Sequence, residues 1–411
     1  MYSKIKSHYR RYPNKFWVLI GAALIDRTGG ALIFPFLAIY MTQKFEINMT
    51  TVGGLLFINA SATFLGNFFG GAITDRFGRR SIIMFGLIAS GTSNIFLGLI
   101  DDFNLFLAAI GVVGLLARLG APAQRAMVAD LLPAEKLSDG YALLRVTNNL
   151  AIAIGPLIGG FIATQSYLYL FLIDGITSFI TALLVYYRLP ETRPQPDPDT
   201  PLENIGQTFA GYRRVFQNKA FSAFLLLGIL MNLGYIQMYS TLSVYMVEYL
   251  GYPPRGYGIL LSINAGMVVL LQLWITSKVK HISPLKIMAA GAVCYALGVG
   301  MLGLIKIFPL LVTAVVIITI GELVISPIGQ AITVNFSPED MRGRYLAALT
   351  MSWLVPRAVG PYLAGLVMDN ISPRWVWYLG GMAAAAAAGG FILLHRAVSH
   401  RFESQTLPIL D

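Results

Sequence analysis

The chain has 411 residues, of which 56% are hydrophobic and only 12% are charged. Soluble domains carry about 25% charged residues, so this composition excludes an ordinary soluble protein. The net charge is +10, but the positions of the basic residues relative to the apolar runs explain it as a topology signal and argue against nucleic-acid binding. A single cysteine, Cys294, excludes an intrachain disulfide and a cysteine metal site.

Apolar runs long enough to cross a bilayer recur along the whole chain. A membrane-spanning helix needs about 20 apolar residues, and we predict an all-α membrane protein with about twelve such spans. In chain order the predicted spans are 16–41, 51–73, 81–100, 103–125, 139–164, 167–188, 221–247, 256–277, 285–305, 309–331, 345–368 and 374–395.

Lysine and arginine distinguish the two sides of the membrane. The loops on the side opposite the N-terminus hold only Lys44, Arg255, Lys306 and Arg374, and most other basic residues lie in the segments on the N-terminal side. The positive-inside rule therefore predicts that both termini are cytoplasmic. The basic N-terminus lacks the pattern of a cleavable signal, so we expect the first span to be retained. Short loops suit a bacterial inner membrane.

A proline-rich stretch divides the predicted spans into two groups of six. Residues 190–219 are too rich in proline for a helix or a strand and are interpreted as a cytoplasmic linker. We therefore predict an N-terminal bundle at 1–189 and a C-terminal bundle at 220–411. The part of the linker after Gly206, with Tyr212 and Phe216, is expected to form an amphipathic helix on the membrane surface.

The two halves match at one constant offset of 205 residues. Matching positions include Gly53 with Gly258, Asn59 with Asn264, Pro122 with Pro327, Pro156 with Pro361 and Gly160 with Gly365. One register held without insertion from the second span to the sixth indicates an internal duplication. Two copies with six spans each have the same orientation, and parallel repeats of this kind place the substrate site at their interface.

A short turn between the second and third spans carries a distinctive charge pattern. It contains Gly71, Asp75, Arg76, Gly78, Arg79 and Arg80. This spacing resembles the signature loop of the major facilitator superfamily at every defining position. The resemblance implies the major facilitator fold, with two pseudo-symmetric six-helix bundles.

The resemblance also implies a cytoplasmic latch that holds the outward-open state. Asp75 and Arg79 would form its core, and Asp130, at the end of the fourth span, would be its partner. The simpler interpretation is that these arginines only enforce topology. The equivalent segment of the second half, 275–280, lacks the acid and the glycines.

The fifth span contains Gly155, Pro156, Gly159 and Gly160. This pattern is similar to the element associated with proton-driven drug antiporters of the superfamily, except that Ala151 replaces its first glycine. Pro156 removes a helical hydrogen bond, and the glycines permit close helix contact. Helix packing alone would also explain the motif.

Charged residues inside a bilayer are costly and mark cavities or buried partners. Asp26 and Arg27 lie near the middle of the first span, Arg118 in the fourth and Glu322 in the tenth. The resemblance implies that the first, fourth, seventh and tenth spans line a central cavity. Our hypothesis is that Asp26 and Glu322 couple transport to protons, with Arg118 favouring the ionised form of one of them. The alternative is a permanent ion pair between Glu322 and Arg118.

Other residues are expected to contribute to the cavity wall or to lie away from it. We predict that Arg27, Asn59, Asn264, Tyr235 and Tyr239 line the substrate cavity, because aromatic rings bind organic cations. Asp174 in the sixth span is instead expected to lie near the outer side in contact with water.

These features together favour a secondary active transporter over an enzyme. We predict a proton-coupled antiporter that exports amphipathic or cationic compounds, of the multidrug efflux type. A lipid or glycolipid flippase and a small-solute proton symporter are the alternatives. A sensor or an enzyme is disfavoured, because neither a catalytic constellation nor a signalling domain is found.

The expected partners are a small-molecule substrate, protons and the lipid bilayer. No cofactor and no metal are expected, since the four histidines are not paired within a span and no phosphate-binding loop occurs. We expect a monomer.

Overall fold

The computed structural model describes residues 12–192, 212–279, 282–338 and 341–398, and within these ranges the regular structure is helical. The first half contains α1 Asn14–Ile33, α2 Leu37–Phe45, α3 Met49–Phe77, α4 Arg79–Leu99, α5 Phe103–Ala117, α6 Gly120–Leu131, α7 Leu137–Ala163 and α8 Tyr167–Arg188. The second half contains α9 Lys219–Tyr235, α10 Pro254–Val279, α11 Pro284–Leu302, α12 Phe308–Phe336, α13 Arg342–Leu349, α14 Met351–Asn370 and α15 Pro373–Val398.

Local sequence signals explain where many of these helices begin and end. Asp102 caps α5 by accepting a hydrogen bond from the Leu105 N–H, and Asn218 caps α9 in the same way from Phe221. Prolines begin α10, α11 and α15, at positions where a missing N–H costs nothing. Glu46 follows α2 in the left-handed conformation with φ 52°. The bounds of the helices therefore reflect the capping chemistry of the chain.

Within the described residues, 11 helical segments are long and apolar enough to cross a membrane. The helix α14 also has 20 residues, but it contains Arg357 and Asp369 together with Pro356 and Pro361, which makes it less apolar. Large apolar side chains such as Leu226 and Leu270 remain exposed on the helices. Such surface is rare on soluble proteins and suits contact with lipid. The all-α membrane fold predicted from the sequence is confirmed.

The chain folds into two compact units. Unit 1 comprises Met1–Ile47, Gly54–Pro196 and Gly251–Ala265, and unit 2 comprises Asn48–Gly53, Asp197–Leu250 and Gly266–Asp411. The first turn of α3 thus belongs to unit 2 and the first half of α10 belongs to unit 1, while the rest of each helix belongs to the other unit. The bundle boundaries at 189 and 220 stay a prediction.

The internal duplication is visible in how helices pack within each unit. In unit 1, α1 packs against α7 and α8, and α8 packs against α4. In unit 2, α9 packs against α14 and α15, and α15 packs against α11. These pairs correspond one to one at the offset of 205 residues. The repeated positions therefore form the same helix neighbourhoods twice.

Candidate functional site

Asp26 and Arg27 are neighbours on α1 but point to different helices. Ser178 Oγ on α8 donates a hydrogen bond to Asp26 Oδ1 at 3.2 Å. Arg27 donates to Gln124 Oε1 on α6 at 3.0 Å and to the Leu144 carbonyl on α7 at 3.2 Å. The roughly 100° between adjacent helical positions produces this division. Arg27 is thus bound by two neighbouring helices, while Asp26 keeps acceptor capacity.

Arg118 lies at a break in the fourth span. The helix α5 ends at Ala117 and α6 begins at Gly120. Pro122 lacks the N–H that would bond to the Arg118 carbonyl in a continuous helix, and the Ala121 N–H donates to this carbonyl instead, at 3.2 Å. The Arg118 side chain is exposed and acts electrostatically on Asp26.

A cavity of about 90 Å³ inside unit 1 collects these charges. Asp26, Arg27 and Arg118 line it together with Ser90 and Gln124. The structure therefore brings together one carboxylate and two guanidinium groups that come from distant parts of the sequence. This arrangement can bind and release a proton on Asp26 beside a fixed positive charge.

Asp174 is buried, and the sequence-based expectation of contact with water is wrong. Its side chain is 3% exposed, and Asn94 Nδ2 on α4 donates to its Oδ2 at 2.5 Å. Its Oδ1 lies against Gly29 of α1, where an added Cβ would meet it at 2.6 Å. Depth along a span does not reveal which face a side chain occupies. Gly29 on α1 leaves room for the Asp174 carboxyl, and the Asn94 amide on α4 supplies its hydrogen-bond donor.

Unit 2 holds an aromatic cluster around Glu322. The ring of Tyr235 stacks on Tyr295 with centroids 4.8 Å apart, and it meets Trp353 edge-on at 5.4 Å. The hydroxyl groups of Tyr235 and Tyr239 lie 3.1 Å apart. Glu322 is half-buried and interacts electrostatically with all three tyrosines of the cluster. A half-buried carboxylate beside electron-rich rings is an environment that suits a cation.

The two repeat-related asparagines are placed differently from each other. Asn59 is half-buried and donates to the Ile110 carbonyl of α5 at 3.2 Å. Asn264 is buried, with 2% of its surface exposed. Their assignment to a substrate cavity stays a prediction, and the hydrogen bond of Asn59 gives it a role in packing.

At the start of α4, the structure places Arg79 against Asp130. The Nε of Arg79 lies 3.2 Å from Asp130 Oδ2, and the same oxygen accepts a hydrogen bond from Thr192 Oγ1 at 2.7 Å. Gly78 links α3 to α4 with φ 92°, a conformation that favours glycine. The surroundings of Gly71 and the side chains of Asp75 and Arg76 lie outside the described part of the structure.

Glu191, at the start of the predicted linker, caps α4. Its carboxylate accepts from the backbone N–H groups of Arg79 at 2.6 Å and of Arg80 and Ser81 at 3.3 Å. Partial burial raises the pKa of this carboxyl, and backbone hydrogen bonds from Arg79, Ser81, Arg80 and Thr192 lower it. The four hydrogen bonds together outweigh the effect of burial, so the pKa lies below its ordinary value. An ionised carboxylate at a helix N-terminus is favourable to the helix.

Arg80 contributes a further contact between the latch loop and α8. Its guanidinium stacks on the ring of Tyr186 at 5.0 Å and donates to the Tyr186 carbonyl at 2.5 Å. Hence two residues of the predicted latch, Arg79 and Arg80, are engaged by different neighbours within unit 1.

The glycines of the fifth-span motif are all sites of close helix approach. An added Cβ at Gly155 would clash with Ala31 Cβ. At Gly159 an added Cβ would lie 2.7 Å from the Leu32 carbonyl oxygen, and at Gly160 it would lie 3.0 Å from Arg255 Cα. Pro156 lies inside the continuous helix α7. The motif therefore packs α7 against α1 and against the first turn of α10.

Sequence reasoning missed Glu191, the burial of Asp174, and the buried Asn232, whose Nδ2 donates to the Ser352 carbonyl at 2.9 Å. A glutamate after a proline in a linker carries no local signal that it caps a helix 112 residues away. The constant offset of 205 residues could have revealed one of them, since it pairs Asn232 with Arg27.

Comparisons with known proteins identify the family. The Major Facilitator Superfamily profile matches residues 19–327 and 238–408. A Na(+), Li(+), K(+)/H(+) antiporter of Planococcus maritimus is 26% identical, over 92% of this chain and 93% of that protein. The quinolone resistance protein NorA of Staphylococcus aureus is 22% identical, over 68% of each chain.

Solved structures show the same fold. A POT family transporter crystallised with 5-aminolevulinic acid superposes with a TM-score of 0.77 at 16% identity, over 94% of this chain and 97% of that one. The signature loop, the repeated helix packing and the profile match agree with one another. The chain belongs to the Major Facilitator Superfamily, and it is a membrane transporter rather than an enzyme.

Proposed function

We propose that the protein is a proton-coupled antiporter that exports amphipathic, often cationic, small molecules by alternating access. The observation that carries this proposal is the cavity of unit 1, where Asp26 and Arg118 lie together inside the membrane-spanning part. The antiport and quinolone resistance in the names of the two relatives support the choice of transport class.

Asp26 is the proton-binding group of this scheme. It retains acceptor capacity beyond its hydrogen bond from Ser178, and the guanidinium of Arg118 at the helix break interacts with it electrostatically. Arg27 is bound to Gln124 and Leu144 and therefore maintains the shape of the cavity rather than exchanging partners. Proton exchange at Asp26 changes the charge of the cavity, which is what coupling to a gradient requires.

Substrate recognition is assigned to unit 2. Glu322 supplies a negative charge, and the half-buried Tyr239 supplies an aromatic face for an organic cation. The buried Tyr235, whose ring stacks on Tyr295, packs against Tyr239 from behind. Glu322 is also the second coupling carboxylate, because a proton and a cation would compete for it. Export then follows when the proton displaces the cation on the side facing the higher proton concentration.

The latch residues regulate access in this scheme. Arg79 and Asp130, with the cap from Glu191, hold the segment between α3 and α4 in one arrangement. We propose that this arrangement stabilises the outward-open state, with both termini in the cytoplasm of a bacterial cell and the chain acting as a monomer.

Proteoliposomes with an imposed pH gradient test the proposal. Purified protein is assayed with a cationic dye, a lysolipid and a sugar, each with and without sodium. We expect dye movement that depends on the pH gradient and is lost in Asp26→Asn and in Glu322→Gln, while a Glu135→Gln control transports like the parent. Lipid movement insensitive to the gradient would favour a flippase, and sugar uptake with protons would favour a symporter. If dye movement strictly required sodium, the coupling ion would be sodium and not the proton.

A further inference from the structure

Unit 2 contains a second cavity, of about 320 Å³, that carries no charged side chain. Its wall combines polar groups with large apolar side chains. The polar lining residues include Asn232, Ser326 and Ser352, and the larger apolar ones include Phe224, Met231 and Trp353. This mixture is typical of sites that bind small organic molecules, which are mostly apolar with a few placed polar groups.

Asn232 is the best-defined polar group of this wall. It is 2% exposed, and its Nδ2 donates to the Ser352 carbonyl at 2.9 Å. In a continuous helix that carbonyl would accept from residue 356, but Pro356 has no N–H. Asn232 thus replaces the donor that the proline removes.

The same amide leaves one acceptor unused. Asn232 Oδ1 is buried and has no hydrogen-bond partner among the described residues. Rotating the amide would place its oxygen against the Ser352 carbonyl, and two acceptors repel, so the orientation is fixed. A buried acceptor without a donor is costly. The donor it lacks is therefore a group that a bound molecule can supply.

The two cavities occupy repeat-related positions. Their lining residues correspond at the offset of 205 as Leu19 with Phe224, Asp26 with Met231, Arg27 with Asn232, Ile83 with Met288, Gly120 with Ile325, Ala121 with Ser326 and Gln124 with Gly329. The acid and the arginine of the first cavity become a methionine and an asparagine in the second. The two sites therefore have the same place in their repeats, but only the first carries charged side chains.

We propose that the cavity of unit 2 binds the uncharged, apolar part of the exported compound, and that Asn232 Oδ1 accepts a hydrogen bond from an N–H or O–H group on it. This inference rests on the proposed export function and specifies its substrate class. Trp353 lines the cavity and also contacts Tyr235, so the neutral site adjoins the aromatic cluster around Glu322. An amphipathic molecule with a cationic end and a neutral donor would engage both.

Gly329 provides a direct way to close the cavity. It lies on the cavity wall, and an added Cβ would meet nothing within 4 Å. Gly329→Leu therefore fills the space without altering Asn232. Gly389 on α15 also has open space around it and is exposed. It lies outside the cavity wall, so Gly389→Leu is the matched control.

The test measures equilibrium binding in nanodiscs at one pH, without any gradient. The probes are 4-tert-butylphenol and its methyl ether 4-tert-butylanisole, two neutral molecules that differ by one hydroxyl donor. Binding is measured by equilibrium dialysis and by quenching of tryptophan fluorescence, with Trp353→Phe identifying the contribution of Trp353. Size-exclusion profiles and Tm report folding of each variant.

We expect the phenol to bind the parent about five- to tenfold more tightly than the ether, because only the phenol can donate a neutral hydrogen bond to Asn232 Oδ1. The ratio should fall to about one in Asn232→Leu. Gly329→Leu should weaken both probes at least about tenfold, and Gly389→Leu should bind like the parent. The inference is overturned if folded Gly329→Leu binds both probes like the parent, or if Asn232→Leu keeps the parental ratio of the two affinities. If Asn232→Leu does not fold, the result for Gly329→Leu decides alone.

The same measurement separates this inference from the export proposal. Asp26→Asn lies in the other unit and should leave phenol binding unchanged even where it abolishes coupling. If the parent protein binds the phenol but shows no gradient-driven transport, only the coupling scheme is contradicted. Coupled transport of the dye together with failure of the binding tests would contradict only the neutral site.

Discussion

Glu191 Oε1 lies 2.6 Å from the backbone nitrogen of Arg79, so a carboxylate at the start of the linker caps the first turn of α4. The same turn carries the side chain that pairs with Asp130. Capping and ion pairing therefore converge on one residue of the signature loop. The cap holds the backbone of Arg79, and the ion pair with Asp130 holds its guanidinium.

Glu191→Gln should destabilise the protein by about 1 kcal/mol, the usual cost of a lost helix cap. The glutamine oxygen is a weaker acceptor and lacks the charge that favours a helix N-terminus. Thermal unfolding in detergent measures the change, with Glu135→Gln as the control on an exposed glutamate. Equal Tm values for Glu191→Gln and the parent would contradict the capping role.

The contribution of Glu191 should depend on pH in one direction. Its pKa in the folded chain is lower than the ordinary value of 4.5, so its stabilisation is fully present above that value and is lost as the pH falls through the lowered pKa. The Tm difference between parent and Glu191→Gln should therefore be constant near neutral pH and shrink on acidification below 4.5. A difference that grows on acidification would refute this assignment.

Gly78→Ala should destabilise the turn between α3 and α4. The glycine has φ 92° and ψ 163°, and an added Cβ would lie 2.6 Å from the Glu191 carboxyl carbon. We expect a loss of about 1–3 kcal/mol from backbone strain, together with displacement of the cap. Gly54→Ala is the matched control, because an added Cβ there meets nothing within 4 Å. If both variants unfold at the same temperature, Gly78 is not required by its conformation.

Asn94→Leu should destabilise unit 1 by about 1–3 kcal/mol. It removes the donor to the buried Asp174 carboxyl and leaves an acceptor unpaired on α8. Adding Asp174→Leu should recover part of the loss, since two apolar side chains leave no unpaired group. Thermal unfolding of the two single variants and the double variant forms the cycle. Additive effects would show that the two side chains do not interact.

Gly155→Ala tests whether the fifth-span motif acts through packing. The new methyl group would clash with Ala31 Cβ and lie close to the backbone of Ala31, so we expect α1 and α7 to separate and transport to fall. Ala31→Gly removes the shortest of these contacts and should restore transport partly. Proteoliposome rates of the single and double variants measure this. The absence of any rescue would mean that Gly155 is needed for more than its contact with Ala31.

The two repeat-related cavities differ in the chemistry of their lining residues. At the offset of 205 residues, the packed helices and the cavity-lining positions of one unit correspond to those of the other. The residues themselves differ, since Asp26 and Arg27 correspond to Met231 and Asn232. One copy keeps the ionisable groups and the other offers a neutral acceptor. Coupling and recognition of a neutral group are therefore proposed for different copies.

By itself, the sequence determined the all-α membrane fold, the duplication and the family, because hydrophobic length, one repeat offset and a signature loop are local or periodic properties of the chain. It also pointed to Arg79 and Asp130, which the structure places 3.2 Å apart.

The tertiary structure alone decided which helix face each polar residue occupies. Asp174 meets Asn94 80 residues away, Glu191 meets Arg79 112 residues away, and Asn232 meets Ser352 120 residues away. Burial of a polar group depends on a donor from another helix, and no local pattern encodes that donor. The packing of distant helices therefore decides which carboxyl is buried and which amide keeps a free acceptor.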